Sequence, residues 1–187
     1  ESRMEELKKG RSAVIENKHI VILGWSSKIY NIVDELIIGH RLSGRRPRKP
    51  CIVVLADKDK VEMEDAIADN CPNSINSKII CRSGNPIILE KLKKLSLDKA
   101  TSILILASDK NNPDTFVFKI ILAILQICES HNKIRTKTII AELEDEKNAN
   151  LLNKQIYNCS RKNTALEDKL RLIPFYSSKI ISQMIAQ

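Results

Sequence analysis

Phosphate binding is the first chemistry that the residues suggest. The apolar run His19-Ile20-Val21-Ile22-Leu23 ends on Gly24-Trp25-Ser26-Ser27-Lys28-Ile29, where a glycine-rich turn would cradle a dinucleotide. That fingerprint needs Gly at 24, 26 and 29, and only Gly24 fits. Ser26 puts a side chain where backbone should approach a pyrophosphate, and Ile29 widens the helix–strand contact. The helix N-terminal amides and Lys28 leave a residual anion affinity; the alternative is that Ser26 or Ser27 is an ordinary helix cap. Asp57 ends the next apolar run, where a ribose-binding carboxylate would stand. It lies further on than the usual spacing of about 20 residues, and a basic insertion at 41–49 accounts for the excess.

A hard cation is the second possibility. Asp57, Asp59, Glu62, Glu64, Asp65 and Asp69 form an acidic stretch. It fails as an EF-hand loop, because Val61 stands where a ligand should be and Glu62 replaces the turn glycine. The stretch reads first as a solvated helix face and second as a calcium site. Glu142, Glu144, Asp145 and Glu146 repeat the pattern near residue 142. If both clusters converge at strand ends, Asp57, Asp59, Glu142 and Glu144 are the expected cation ligands. A catalytic set is missing. His19, His40 and His131 have no Ser or Cys partner at a motif spacing, and neither a Gly-x-Ser-x-Gly elbow nor a Walker loop occurs. The residues point to sensing rather than turnover.

The elements that must position these groups follow from periodicity. Uniformly apolar runs at 19–23, 51–56, 78–81, 102–107 and 138–141 predict buried strands, with a weak sixth at 170–173 stopped by Pro174. Amphipathic stretches predict helices over 27–38, 60–69, 86–94, 115–130 and 144–155, and a last one from Ser177. The polar stretch 158–168 predicts a loop. Strands and helices that alternate over short loops give an α/β, doubly wound, mostly parallel Rossmann-like sheet of about six strands with helices on both faces.

Composition sets the outer bounds. The chain has 187 residues, of which 43% are hydrophobic and 29% charged, with a formal net charge of +8. That fits one domain with a real core. Only seven aromatics occur, too few for base stacking along a single strand; no nucleic-acid partner is expected, and a nucleic-acid binder led by the basic 41–49 loop is a third reading. The densest basic block (Arg41, Arg45, Arg46, Arg48, Lys49) lies in a Gly- and Pro-containing loop, either simply solvated or touching lipid headgroups or phosphate. Five cysteines without a Cys-x-x-Cys pair fit neither a disulfide scaffold nor a zinc site, and a reduced, cytosolic chain is expected. No run approaches the roughly 18 apolar residues of a membrane span. The first residue is Glu, which suggests excision from a longer protein.

Several segments together resemble the RCK (TrkA-N) regulatory domain, and within it the Castor/Pollux ion channel branch. They are Arg3-Met4-Glu5-Glu6-Leu7-Lys8-Lys9-Gly10-Arg11-Ser12, His19 to Ser26, Ile80-Cys81-Arg82-Ser83-Gly84-Asn85-Pro86, and Lys99-Ala100-Thr101-Ser102-Ile103-Leu104-Ile105-Leu106. The resemblance implies a linker from a pore helix over 1–18, a Rossmann-like lobe over 19–175, and the start of a crossover helix over 176–187. In that helix Ile180, Ile181, Met184 and Ile185 would form an apolar oligomer interface. It implies a non-catalytic, ligand-sensing part of a tetrameric gating ring on the cytosolic side of a membrane, regulating a potassium or calcium-permeable channel. The strand-end loops would hold the ligand through Gly24, Ser26, Ser27, Asp57, Asp59, Arg82, Ser83 and Gly84. Calcium is permitted as that ligand; a nucleotide is disfavoured by Ser26 and Ile29. The rival reading is an NAD-binding, oxidoreductase-like domain with a degenerate fingerprint.

Overall fold

A computed structural model describes residues 3–43, 49–107, 112–130, 137–162 and 170–176. The elements run α1 (Arg3–Lys8), β1 (Ile20–Leu23), α2 (Ile29–Leu42), β2 (Cys51–Ala56), α3 (Lys60–Asn70), β3 (Lys78–Ser83), α4 (Leu89–Lys93), β4 (Ser102–Ile105), α5 (Pro113–Ser130), β5 (Lys137–Glu142), α6 (Glu146–Lys162) and β6 (Leu170–Phe175). Short 3-10 turns occupy Pro72–Asn76 and Leu97–Lys99.

All six strands are parallel and lie in the order β3-β2-β1-β4-β5-β6. The chain moves outward from β1 to β3, returns through α4 to lay β4 beside β1, and then moves outward the other way. This is the doubly wound sheet that the apolar runs predict, and its topological switch point lies between β1 and β4.

The strands lack polar alternation because both faces are covered. On one face Ile22, Ile52, Val54 and Leu104 pack against Ile29, Val33 and Ile37 of α2 and Met63 and Ile67 of α3. On the other, Val21, Val53, Ile103 and Ile139 pack against Leu92 of α4, Val117, Ile120, Ile121 and Ile124 of α5, and Leu152 of α6. The spacing of Ile29, Val33 and Ile37, one residue every turn, gives α2 its buried stripe.

Several boundaries differ from the expected ones. Pro86 is buried and outside any helix, because Asn85 Oδ1 accepts a hydrogen bond from Ile87 N at 3.0 Å and holds a turn there; α4 starts only at Leu89. Helix α6 continues through residues 158–162, which the polar composition assigns to a loop. Strand β6 runs through Pro174 to Phe175. It is an edge strand, where the missing N–H of proline costs no ladder bond. The crossover segment with Ile180, Ile181, Met184 and Ile185, and the basic positions Arg45, Arg46 and Arg48, lie outside the described residues. Arg41, at the described end of the basic block, donates from Nη1 to Asn73 Oδ1 at 3.2 Å.

Residues 9–18 lie along the outer side of β3 and α4. Ser83 N donates to Gly10 O at 3.2 Å, Arg82 Nε to Ser12 O at 2.8 Å, and Lys94 Nζ to Arg11 O at 2.8 Å. Val14 is buried, its N–H donates to Lys94 O at 2.7 Å, and its carbonyl accepts from Ser96 Oγ at 2.6 Å. Lys78 Nζ meets Glu16 Oε1 at 2.7 Å, and that hydrogen bond holds the Lys78 ammonium above its ordinary pKa. The strap ends where Lys18 N donates to Lys99 O at 2.9 Å, and the chain then enters β1.

Candidate functional site

The carboxyl ends of β1, β2 and β3 and the first turns of α5 surround a cleft of about 460 Å³. Its walls are Gly24 and Trp25 after β1, Ala56 and Asp57 after β2, Asn85, Pro86 and Ile87 before α4, and Asn112, Thr115, Phe116 and Lys119 at α5. This is where a doubly wound sheet binds ligands.

Local sequence explains each wall. Gly24 has φ +97°, and a Cβ there would lie 2.7 Å from Leu106 O, so the β1 turn requires glycine. Trp25 is held by the edge of Tyr30, with ring centroids 6.0 Å apart and planes at 87°, and Lys58 Nζ lies 6.0 Å from its ring centroid. Asn112 takes φ +60° just before Pro113, which starts α5 where its missing N–H is harmless. Asp114 then ties α5 to the turn after β5. Its carboxylate accepts from Glu144 N at 2.8 Å, Asp145 N at 3.1 Å and Asn148 Nδ2 at 2.6 Å. Among the described residues the cleft therefore has aromatic and apolar walls, one carboxylate (Asp57), one ammonium (Lys119) and two carboxamides. It can enclose a small organic ligand and orient it by hydrogen bonds.

The sequence-predicted residues divide. Gly24 and Asp57 line the cleft. Ser26 is buried beneath the turn and Ser27 is exposed; neither lines it. Nor does either cap α2: the cap position is Lys28, and no side chain bonds the free amides there. Asp59 is spent as the cap of α3, accepting from Val61 N at 2.8 Å and Glu62 N at 3.3 Å. Arg82 and Ser83 face the strap rather than the cleft: both line a small separate hollow with Gly10, Arg11 and Ser12. Burial there holds the Arg82 guanidinium below its ordinary pKa. Gly84 joins β3 to β2, its N–H donating to Ala56 O at 2.8 Å.

The expected cation site on Asp57, Asp59, Glu142 and Glu144 is not assembled: among the described residues no group of three or more His, Cys, Asp or Glu side chains could hold a metal. Glu142 is 1% exposed and forms an ion pair with Lys28, while its Oε2 accepts from Ala107 N at 3.0 Å. The acidic stretch after β2 is the solvated helix face of the first reading, with Lys58–Glu62 at 3.0 Å and Lys60–Glu64 at 3.6 Å. Asn85, the last residue of the expected ligand loop 82–85, lines the cleft, whereas Pro86, Ile87, Thr115, Phe116 and Lys119 lie outside the expected loops. Only the end of β3 at Ser83, two residues beyond the apolar run, signals that the ligand loop starts later than Arg82.

Comparison with known proteins fits this architecture. The sequence model of the calcium-activated potassium channel slowpoke-like RCK domain matches residues 16–140. A probable ion channel of Pisum sativum, SYM8, is 40% identical over 130 residues, covering 68% of this chain and 14% of that protein. The probable ion channel CASTOR of Oryza sativa subsp. japonica is 38% identical over 143 residues, covering 76% of this chain and 15% of that protein. The chain thus spans about one seventh of the length of these relatives. Among solved structures, the TrkA-N domain of the Escherichia coli inner membrane protein ybaL superposes with a TM-score of 0.54 at 10% identity, covering 92% of this chain and 97% of that domain. The GsuK channel bound to NAD superposes with a TM-score of 0.52 at 15% identity, covering 90% of this chain and 24% of that one. At those identities the superpositions establish the shared fold alone. Among the described residues no helix is long and apolar enough to cross a membrane.

Proposed function

Because this chain belongs to the slowpoke-like RCK domain family, we propose that it is the ligand-sensing first lobe of a cytosolic gating ring that regulates a cation channel. The channel would be tetrameric and pass potassium or calcium. Residues 1–18 would lead from its pore, 19–175 form the lobe, and 176–187 begin a crossover helix that meets a neighbouring lobe. The observation that carries the reading is the cleft at the switch-point end of the sheet, open beside the Asn85–Ile87 turn. That turn directly follows Arg82 and Ser83, which grip the strap. A ligand that prefers one setting of the turn biases the strap, and through it a pore, by population shift. Among the described residues, Asp57 and Lys119 are the only ionisable side chains that line the cleft, which suits binding better than turnover.

The test is to fill the cleft in the whole channel. Thr115 lines it and is exposed, so Thr115→Arg obstructs the space without touching the core. Open probability should lose its dependence on cytosolic ligand while the melting temperature of the 187-residue chain stays put. Unchanged ligand-dependent gating with the cleft blocked would refute the proposal. Calcium and NAD are then titrated separately against this chain, following Trp25 fluorescence. Saturable quenching by NAD, with hydride transfer to an acceptor, would establish the oxidoreductase-like alternative instead.

A further inference from the structure

The end of the sheet where an anion would bind already holds one. In a doubly wound sheet, phosphate is received at the switch point by the N-terminus of the first crossover helix and nearby amides. Here the receiving groups are present: the start of α2, the Lys28 ammonium at its cap position, and the N–H of Ala107 just beyond β4. Glu142, from the end of β5, engages the last two together. Its Oε1 pairs with Lys28 and its Oε2 accepts from Ala107 N at 3.0 Å. The two ends of the bridge come from the two halves of the sheet, on either side of the boundary between β1 and β4. The carboxylate is 1% exposed, so it is sealed in place rather than sampling solvent. In the turn between β1 and α2, Ser26 is 2% exposed, and its Oγ makes no hydrogen bond to the described residues. Ser26 stands at a position that the dinucleotide fingerprint reserves for glycine.

From this geometry we infer that Glu142 is a built-in anion that closes the switch point to phosphate-bearing ligands. The cleft beside it then takes ligands that carry no phosphoryl group. A mobile phosphate would have to displace a carboxylate that is tethered, buried and already bonded on both oxygens. A tethered group has the advantage of effective concentration over a free one. The inference concerns anion selectivity and stands apart from any role in a channel.

The experiment uses the 187-residue chain with inorganic pyrophosphate and ADP as probes, read by calorimetry. Glu142→Gln keeps an acceptor for Ala107 N and removes the competing charge from Lys28. The wild-type chain should give no saturable binding at millimolar probe. The variant should gain at least about tenfold in affinity, the effect of one charge-assisted contact. Adding Lys28→Met to the variant should abolish the gain. Pyrophosphate binding by the wild type as tight as by Glu142→Gln, or no gain in a folded Glu142→Gln chain, would overturn the inference. So would a gain that survives Lys28→Met. Should Glu142→Gln not fold, the wild type decides by NMR: pyrophosphate must leave the Ala107 amide resonance in place, and a saturable shift refutes the assignment.

Discussion

Replacing Gly24 with alanine tests whether the β1 turn is shaped by backbone sterics. At φ +97° any side chain is strained, and the added methyl would stand 2.7 Å from Leu106 O, a backbone atom that cannot swing away. Left-handed backbone costs a non-glycine residue about 1–3 kcal/mol. Moving the first residues after β4 to relieve the contact adds to that, so the expected loss is roughly 2–4 kcal/mol. At about 2–4 °C per kcal/mol for a chain of this size, the melting midpoint should fall by roughly 4–16 °C. Gly39→Ala provides the internal control. Gly39 lies within α2 with nothing within 4 Å of its would-be Cβ, and helix propensity predicts a gain of about 0.5–1 kcal/mol. Urea melts of the two variants should therefore move in opposite directions. A Gly24→Ala chain as stable as wild type, or two shifts of the same sign, would refute the steric reasoning.

Two further outcomes follow from burial. Burial raises the Cys81 thiol from 9.0 to about 12, and the Cys51 and Cys71 thiols to about 11. Above pH 9 the unfolded chain releases these protons while the folded chain keeps them, so stability should fall as pH rises from 9 towards 11. Cys81→Ala should flatten that decline in urea melts taken at each pH; an unchanged slope would show that another group sets it. Val14→Asp should detach the strap, because burying a valine contributes about 1.5–3 kcal/mol and a buried unpaired carboxylate costs more. Trypsin cleavage after Arg11 and Lys18 should then outpace any cleavage within the sheet, while equal protection in both chains would mean that Val14 does not anchor the strap.

Much of this was readable in the linear chain, and the limits have physical causes. Runs such as Ile52-Val53-Val54-Leu55 announce strands covered on both faces because no polar residue interrupts them. Their alternation with amphipathic stretches gives the winding. Length was harder. In α6 the inward positions are spaced as in any helix, at Ala149, Leu152 and Ile156, but the polar residues beyond them look like a loop when neighbours are ignored. Pro174 looks like a terminator until β6 is known to be an edge. The site was half visible: Gly24 and Asp57 sit at strand ends that composition alone locates. Glu142 looked like a metal ligand because its acidic neighbours are adjacent in sequence, whereas its true partner is Lys28, 114 positions away. Arg82 likewise looked like a ligand contact, and its carbonyl acceptor on Ser12 is 70 positions away. Pairings at that range leave no local periodic signal.

The strap also constrains how the polypeptide acquires its shape during translation. Residues 10–18 leave the ribosome well before the groups that hold them: Ser96, whose hydroxyl donates to the Val14 carbonyl, follows 82 positions later. At about 5–20 residues per second, that separation is a wait of roughly 4–16 s. Throughout it the valine destined for the interior is open to chaperones and to other nascent chains. The outer rim of β3, which the strap will later cover, is also bare when it emerges, a template for mispairing with another strand. Closing this seam is consequently a late event, and slowing synthesis between residues 20 and 100 would lengthen the vulnerable interval without altering the finished molecule.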